Sequence, residues 1–305
     1  MARNEDAVRP SAFTRYRTLI LIGGVILFLP PLAFIFQATT GENGFCGTWC
    51  PRMFFAWRSG TTGAQFLMGM ARSFMGVALV AGILAVTLIA GRFWCSHACP
   101  IGGVMELGSR LIPKPLKIDF STVPAAPVRY GYLAVYLIAP ALGIGALCCN
   151  YCNFATVPRM FGAAFSEADL AYFFRAYGLI NLALIAILGF LAKGGRAYCN
   201  FLCPLGALDA LANKLGFHFG KRIAVTERAC NGCGACVEAC PTWAIEIKDG
   251  KAVVDQFSCF PCGLCMKACS EQAVVYDWKG KFHEEKAPAA PSYALTCRGG
   301  KELAG

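Results

Sequence analysis

The sequence predicts two unlike parts: an all-α four-helix transmembrane domain built as a tandem two-helix repeat, and behind it a small α+β domain organised around cysteines. Three observations carry that reading. Four apolar stretches, 18–36, 73–91, 130–148 and 176–192, are each long enough to cross a hydrocarbon core of roughly 30 Å. A short motif, aromatic-Cys-x3-Cys-Pro-aliphatic-Gly, closes the second stretch and returns after the fourth. Two four-cysteine runs of equal spacing then fill 230–269. Composition agrees: 56% of residues are hydrophobic and 15% charged, with a mean hydropathy of +0.51, far from the soluble norm.

In chain order, residues 1–17 form an N-terminal arm and 18–220 the membrane domain, in repeats of about 18–128 and 129–220. Residues 221–278 form the cysteine domain, and 279–305 a tail containing Pro288 and Pro291. The first stretch has no small-residue cleavage site and is too long for a signal-peptide core, so it reads as a retained helix. Pro30 and Pro31 should kink it, as Pro140 should kink the third. Residues 111–127, with Pro113, Pro115, Pro124 and Pro127, read as an irregular connection. Residues 102–111 and 206–215 read as amphipathic helices lying against the inner membrane surface. Residues 245–247 and 252–254 read as two strands joined through an Asp249-Gly250 turn.

Lysine and arginine gather in three places: the arm (Arg3, Arg9, Arg15, Arg17), the connection after span two (Arg92, Arg110, Lys114, Lys117, Arg129), and the segment after span four (Lys193, Arg196, Lys214). Under the positive-inside rule both termini are cytoplasmic, in a bacterial inner membrane. The net charge of +10 is then mainly a topology signal, with anionic lipid contact as its second use. Nothing calls for a nucleic acid.

The cysteine runs are Cys230-x2-Cys233-x2-Cys236-x3-Cys240-Pro241 and Cys259-x2-Cys262-x2-Cys265-x3-Cys269-Ser270. In such a run the first three cysteines hold one 4Fe-4S cluster and the fourth reaches the neighbouring one. Cluster A is expected on Cys230, Cys233, Cys236 and Cys269, and cluster B on Cys259, Cys262, Cys265 and Cys240. Zinc favours two separated pairs, so the segment reads as a bacterial-type 2×4Fe-4S ferredoxin domain.

The membrane half aligns with itself. Phe93-Trp94-Cys95-Ser96-His97-Ala98-Cys99-Pro100-Ile101-Gly102 matches Ala197-Tyr198-Cys199-Asn200-Phe201-Leu202-Cys203-Pro204-Leu205-Gly206. Cys46-x3-Cys50-Pro51-Arg52-Met53-Phe54 matches Cys148-x3-Cys152, with Pro158-Arg159-Met160-Phe161 after five extra residues. Each repeat is thus helix, outer pair, helix, inner pair, and a pseudo-twofold along the membrane normal relates the two. That symmetry gathers Cys95, Cys99, Cys199 and Cys203 at an inner metal site. It gathers Cys46, Cys50, Cys152 and one of Cys148 or Cys149 at an outer one, leaving Cys297 and the other member of the adjacent pair over. Four thiolates are what a cluster needs, so one or two further iron-sulfur clusters are expected. Reduced thiols or zinc remain open for the inner set; disulfides, or copper with Met53 and Met160, remain open for the outer one. His97 sits inside the first inner motif, where the second has Phe201, and reads as a polar surface side chain.

Two Cys-x3-Cys-Pro motifs after membrane spans, followed by the two-cluster run, resemble the NapH family of membrane quinol dehydrogenase subunits. The pattern is also similar to the membrane cores of NosR and CcoG proteins, and covers about residues 15 to 278. The resemblance implies that Cys95, Cys99, Cys199 and Cys203 belong to a quinol-oxidising region. It implies electron delivery through clusters A and B to other redox subunits, with quinone as a further cofactor. The outer motifs lie outside the usual NapH pattern and point to a route that also ends at a partner outside. The CcoG likeness implies a second reading, a copper reductase or oxidase-assembly factor with soft thiolate ligands for copper(I). No Cys-x2-Cys-His haem motif is present, His97, His218 and His283 are the only histidines, and no Gly-x-Gly-x-x-Gly opens a helix after a strand. The expectation is an electron-transfer subunit of an oxidoreductase complex, quinol-dehydrogenase-like in its chemistry.

Overall fold

The structure, a computed structural model, describes residues 12–42, 44–52, 61–143 and 147–278. Most of the arm, Met53, and the tail with Cys297 lie outside the described residues, as does the side chain of Cys148. Helix α1 (Ala12–Phe28) stops short of Pro30 and Pro31, which lack the N–H that would continue its ladder, and α2 (Phe34–Thr40) restarts beyond them. Helix α3 (Gly63–Arg72) opens on a capping box between Thr62 and Gln65 and bends at Ser73 into α4 (Phe74–Ala90). Then come α5 (Pro100–Leu111), α6 (Ala125–Ala141), α7 (Leu147–Asn150) and α8 (Asn153–Gly162). Helix α9 (Glu167–Phe173) bends into α10 (Ala176–Ile185), which a π turn extends to Phe190. Helices α11 (Ala197–Phe201) and α12 (Pro204–Leu215) complete the second repeat.

Each of the four apolar stretches is helical over most of its described residues, but no single helix among the described residues is long and apolar enough to cross a membrane. Helices α1, α4 and α6 have 17 residues each, a rise of about 25 Å. Two bent pairs reach that length and apolarity together: α3 with α4, bent by 83°, and α9 with α10 through Phe190, bent by 81°. The similar bends at equivalent places are the repeat expressed in the backbone. The third stretch lies earlier than its sequence suggests. Helix α6 begins at Ala125, inside the proline-rich connection, and ends at Ala141 because Pro140 closes it and Gly143, at φ 75, turns the chain.

Helices α5 and α12 also depart from expectation. They do not lie on a surface: most of α5 from Pro100 to Glu106, and α12 from Pro204 to Ala207, is buried. Helix α5 packs on α1 and on the end of α10, while α12 packs on α4 and α6, so each repeat inserts its last helix against the other. Four of the arginines that read as a topology signal, Arg17, Arg92, Arg129 and Arg196, are buried. Arg92, Arg129 and Arg196, with Arg222, are the bulkiest fully buried side chains among the described residues.

The small domain pairs β1 (Lys221–Val225) with β4 (Val274–Trp278) antiparallel, Lys221 opposite Trp278. Between them lie α13 (Ala235–Glu238), the hairpin of β2 (Ile245–Lys248) and β3 (Lys251–Val254), and α14 (Leu264–Ala268). Asp249 and Gly250, at φ 50 and φ 70, make the two-residue turn the sequence signals. The domain docks through main-chain carbonyls. Arg222 donates to the carbonyls of Thr87 (2.9 Å) and Leu88 (3.1 Å) at the end of α4, and Tyr276 donates to that of Ala90 (2.7 Å).

Candidate metal centres

Each inner motif is a short helical turn that ends on a capping cysteine. Cys95 lies in a π-helical turn, Trp94–Ala98, and Cys199 on α11. Cys99 caps α5 and Cys203 caps α12, both extended at ψ 114, with Pro100 and Pro204 at the first helical position, where a missing N–H costs nothing. The four thiols are all more than nine-tenths buried. They line one cavity together with Trp94, Ile101, Asn153, Phe154, Arg196, Leu205 and Gly206.

The cavity is framed by crossed ion pairs. Arg92 of the first repeat bonds Asp209 of the second at 3.0 Å, and Arg196 of the second bonds Glu106 of the first at 2.7 Å. Arg17 and Arg129 stand in for one another in the same way. Each donates from Nε to the carbonyl after the first inner cysteine, Ser96 at 3.0 Å and Asn200 at 2.6 Å. Glu106 also takes Arg17 at 2.5 Å and Arg110 at 2.7 Å. Burial alone would raise its pKa, but Arg196 and Arg17 override it and hold the carboxyl at about 2. Gly102 admits this arrangement: a Cβ there would stand 2.0 Å from Arg196 Nη1. The cysteine alignment did not reveal these residues. Extending it two residues upstream, to Gly91-Arg92 and Gly195-Arg196, would have exposed the arginine pair.

In the small domain Cys230, Cys233, Cys236 and Cys269 line one pocket beside β3 and β4. Cys259, Cys265 and Cys240 share one buried cluster and Cys262, in the same run, is buried as well, which completes the second set. Gly234 and Gly263, at φ 79 and φ 71, take the left-handed turn that starts each short helix, so that Cys236 and Cys265 return toward their run. Phe260, between Cys259 and Cys262, belongs to the same buried cluster as the inner cysteines. Its ring lies under the Arg92 guanidinium at 4.1 Å and the Arg196 guanidinium at 5.7 Å. The second cluster set therefore faces the inner quartet, while the first lies farther out.

Among the outer cysteines, Cys152 caps α8 and is buried in the cluster that holds the inner four. Cys50 is half-buried, and Cys46 and Cys149 are exposed. His97 is not a surface residue: it is 2% exposed, stacked on Phe93 at 4.3 Å, with Nδ1 2.5 Å from Ser96 Oγ.

The donor sets suit clusters. Backbone N–H groups point at sulfur in a repeated pattern: Ala244 to Cys240 and Ala273 to Cys269, each at 3.3 Å, and Gly206 to Cys203 at 3.4 Å. Such donors stabilise thiolates and tune cluster potentials. Burial pushes the inner thiols up, Cys99 to about 12 and Cys199 to about 11, so a bound cation must drive their ionisation. Among the described residues no three His, Cys, Asp or Glu side chains could hold a single metal ion. Cys230, Cys233, Cys236 and Cys269 line one pocket and Cys95, Cys99, Cys199 and Cys203 another, each with the four thiols that a 4Fe-4S cluster takes.

A 4Fe-4S binding domain family matches twice, at residues 73–119 and 176–222, once per repeat. A 4Fe-4S dicluster domain family matches residues 229–274. The methylamine utilization ferredoxin-type protein MauN of Methylobacillus flagellatus is 29% identical over 170 residues, 55% of this chain and 53% of its own length. The ferredoxin-type protein NapH of Escherichia coli is 28% identical over 169 residues, 54% of each chain. NapH of Haemophilus influenzae is 27% identical over 173 residues, 56% of this chain and 54% of its own. The chain spans about half the length of these relatives. Multiple 4Fe-4S clusters are its cofactors.

Proposed function

The chain belongs to the NapH-like family of polyferredoxins, and on that premise we propose that it is a membrane iron-sulfur relay that exchanges electrons between the quinone pool and redox partner proteins. One observation carries the reading: Phe260, between Cys259 and Cys262, belongs to the buried cluster of the inner cysteines, while Cys259, Cys265 and Cys240 belong to the cluster of the small domain. Cys230, Cys233, Cys236 and Cys269 would hold cluster A, and Cys259, Cys262, Cys265 and Cys240 cluster B. Cys95, Cys99, Cys199 and Cys203 would hold an inner cluster supplied equally by both repeats. When bound, each cluster takes up and returns one electron at a potential set by burial and hydrogen bonds.

The protein's own residues fix the order and exclude water. Arg92 and Arg129 both donate to the Phe257 carbonyl, at 3.1 and 2.8 Å, and hold the small domain against the inner motifs. Trp94, Ile101, Phe154 and Leu205 line the inner cavity and keep it apolar. A membrane setting is supported by apolar side chains left exposed along α1 (Leu19, Ile26), α4 (Val86, Ile89), α6 (Val135, Ile138) and α10 (Leu179, Ile187). In the proposed topology both termini and the small domain face the cytoplasm of a bacterial inner membrane.

The test is anaerobic reduction of the purified protein by a soluble ubiquinol or menaquinol analogue, followed by visible absorbance and EPR. Reduction of the wild type, lost in Cys99→Ser although dithionite still reduces its ferredoxin clusters, is the expected result. A wild type inert to both quinols but reduced by dithionite would refute the quinone link.

A further inference from the structure

We propose that Cys46, Cys50, Cys149 and Cys152 form a fourth 4Fe-4S site, shared between the repeats and standing directly behind the inner quartet. The inference deepens the relay reading and rests on it for the cluster in the inner quartet. Neither family match reaches these four residues.

The geometry clamps the two outer motifs together. Phe45, beside Cys46, packs edge-on against Phe154 with ring centres 5.1 Å apart. Arg52, two residues after Cys50, donates to the Tyr151 carbonyl at 3.1 Å and to Asn153 Oδ1, the neighbours of Cys152 on either side. Cys46 and Cys50 lie close enough to one another and to Cys152 and Cys149 for a charge on one to act on the others. The repeat alignment pairs Cys46 with Cys148 and Cys50 with Cys152 and leaves Cys148 or Cys149 open as the fourth ligand; the fold brings Cys149 near both cysteines of the first motif.

The same elements join the outer set to the inner one. Asn153 and Phe154, immediately after Cys152, line the inner cavity. The two quartets are therefore back to back, not separated by a hydrocarbon core of roughly 30 Å. Arg52 is 2% exposed and lies within electrostatic reach of both Cys152 and Cys203. A buried guanidinium calls for anionic company, and a cluster carrying four thiolates is anionic. On assembly each of the four thiols releases one proton as its Sγ bonds one iron. Exposed Cys46 then gives the site an edge that a partner on that face can approach.

Iron and acid-labile sulfide per chain, measured on anaerobically purified protein, test this. The wild type should hold about sixteen iron atoms, and Cys46→Ser and Cys149→Ser about twelve, with the EPR signals of the other clusters unchanged. Cys148→Ser should keep about sixteen. About twelve in the wild type, bound copper in place of the last four, or a Cys46–Cys50 disulfide by mass spectrometry would overturn the outer site. Loss in Cys148→Ser with retention in Cys149→Ser would overturn the ligand assignment. About eight in the wild type would remove the inner cluster, and with it the relay reading. If a variant lost all its iron through misfolding, the wild-type count would still decide.

Discussion

Glu106 is the point where removing one charge should cost most. Its Oε1 accepts from Arg17 Nη1 and Arg110 Nη2, both at 2.7 Å, and its Oε2 from Arg17 Nη2 at 2.5 Å and Arg196 Nη2 at 2.7 Å. Arg17 and Arg196 are 4% and 1% exposed, so Glu106→Gln strands two buried guanidinium groups. Breaking a buried pair in this way costs about 3–5 kcal/mol. The pKa gives a similar figure: a fall from 4.5 to about 2 corresponds to roughly 3 kcal/mol at 1.36 kcal/mol per unit. Because the folded pKa is depressed, this stabilisation is complete above about pH 5 and is lost as pH falls toward 2. Glu106→Gln should lower the temperature at which the visible iron-sulfur absorbance disappears by on the order of 10 °C at neutral pH and fixed scan rate. Glu227→Gln, at an exposed carboxylate, should move it little. Circular dichroism should show the gap between wild type and Glu106→Gln narrowing on acidification. A shift under about 2 °C at neutral pH would refute the claim that the crossed ion pairs hold the two repeats together.

Two further substitutions probe the same frame. Gly102→Ala places a methyl 2.0 Å from Arg196 Nη1 and should cost about 1–3 kcal/mol; Gly131→Ala, with open space around it on α6, should be neutral or stabilising, and equal effects would contradict the close approach. Phe260→Ala removes the ring beneath both arginines and about 3–5 kcal/mol of packing. Limited proteolysis near 216–221 should then accelerate about a hundredfold, and an unchanged rate would show that Phe260 does not hold the small domain in place.

Spacing alone revealed the two cysteine runs and the paired inner motifs, because a cluster requires its ligands at short, repeated intervals. The Asp249-Gly250 hairpin was legible for a comparable reason, since two positive φ angles demand such residues. The ends of the apolar stretches were not legible: hydropathy cannot tell that α1 stops at Phe28 or that α6 starts at Ala125 within a proline-rich segment. Nor could charge counting show that Arg92, Arg129 and Arg196 face inward, because the partners Asp209, Asn200 and Glu106 come from distant parts of the chain. The strands β1 and β4 were missed because they pair across 48 residues of intervening chain (225 to 274), which no local pattern records.

The central claim is that one inner centre is built jointly by both repeats. Iron per chain in Cys99→Ser, Cys203→Ser and the double variant, each purified anaerobically, tests it most directly. Each single variant should lose about four iron atoms, and the double variant no more than either single, with the EPR signals of clusters A and B intact. Full iron in a single variant, or a loss in the double equal to the sum of the singles, would contradict a shared centre.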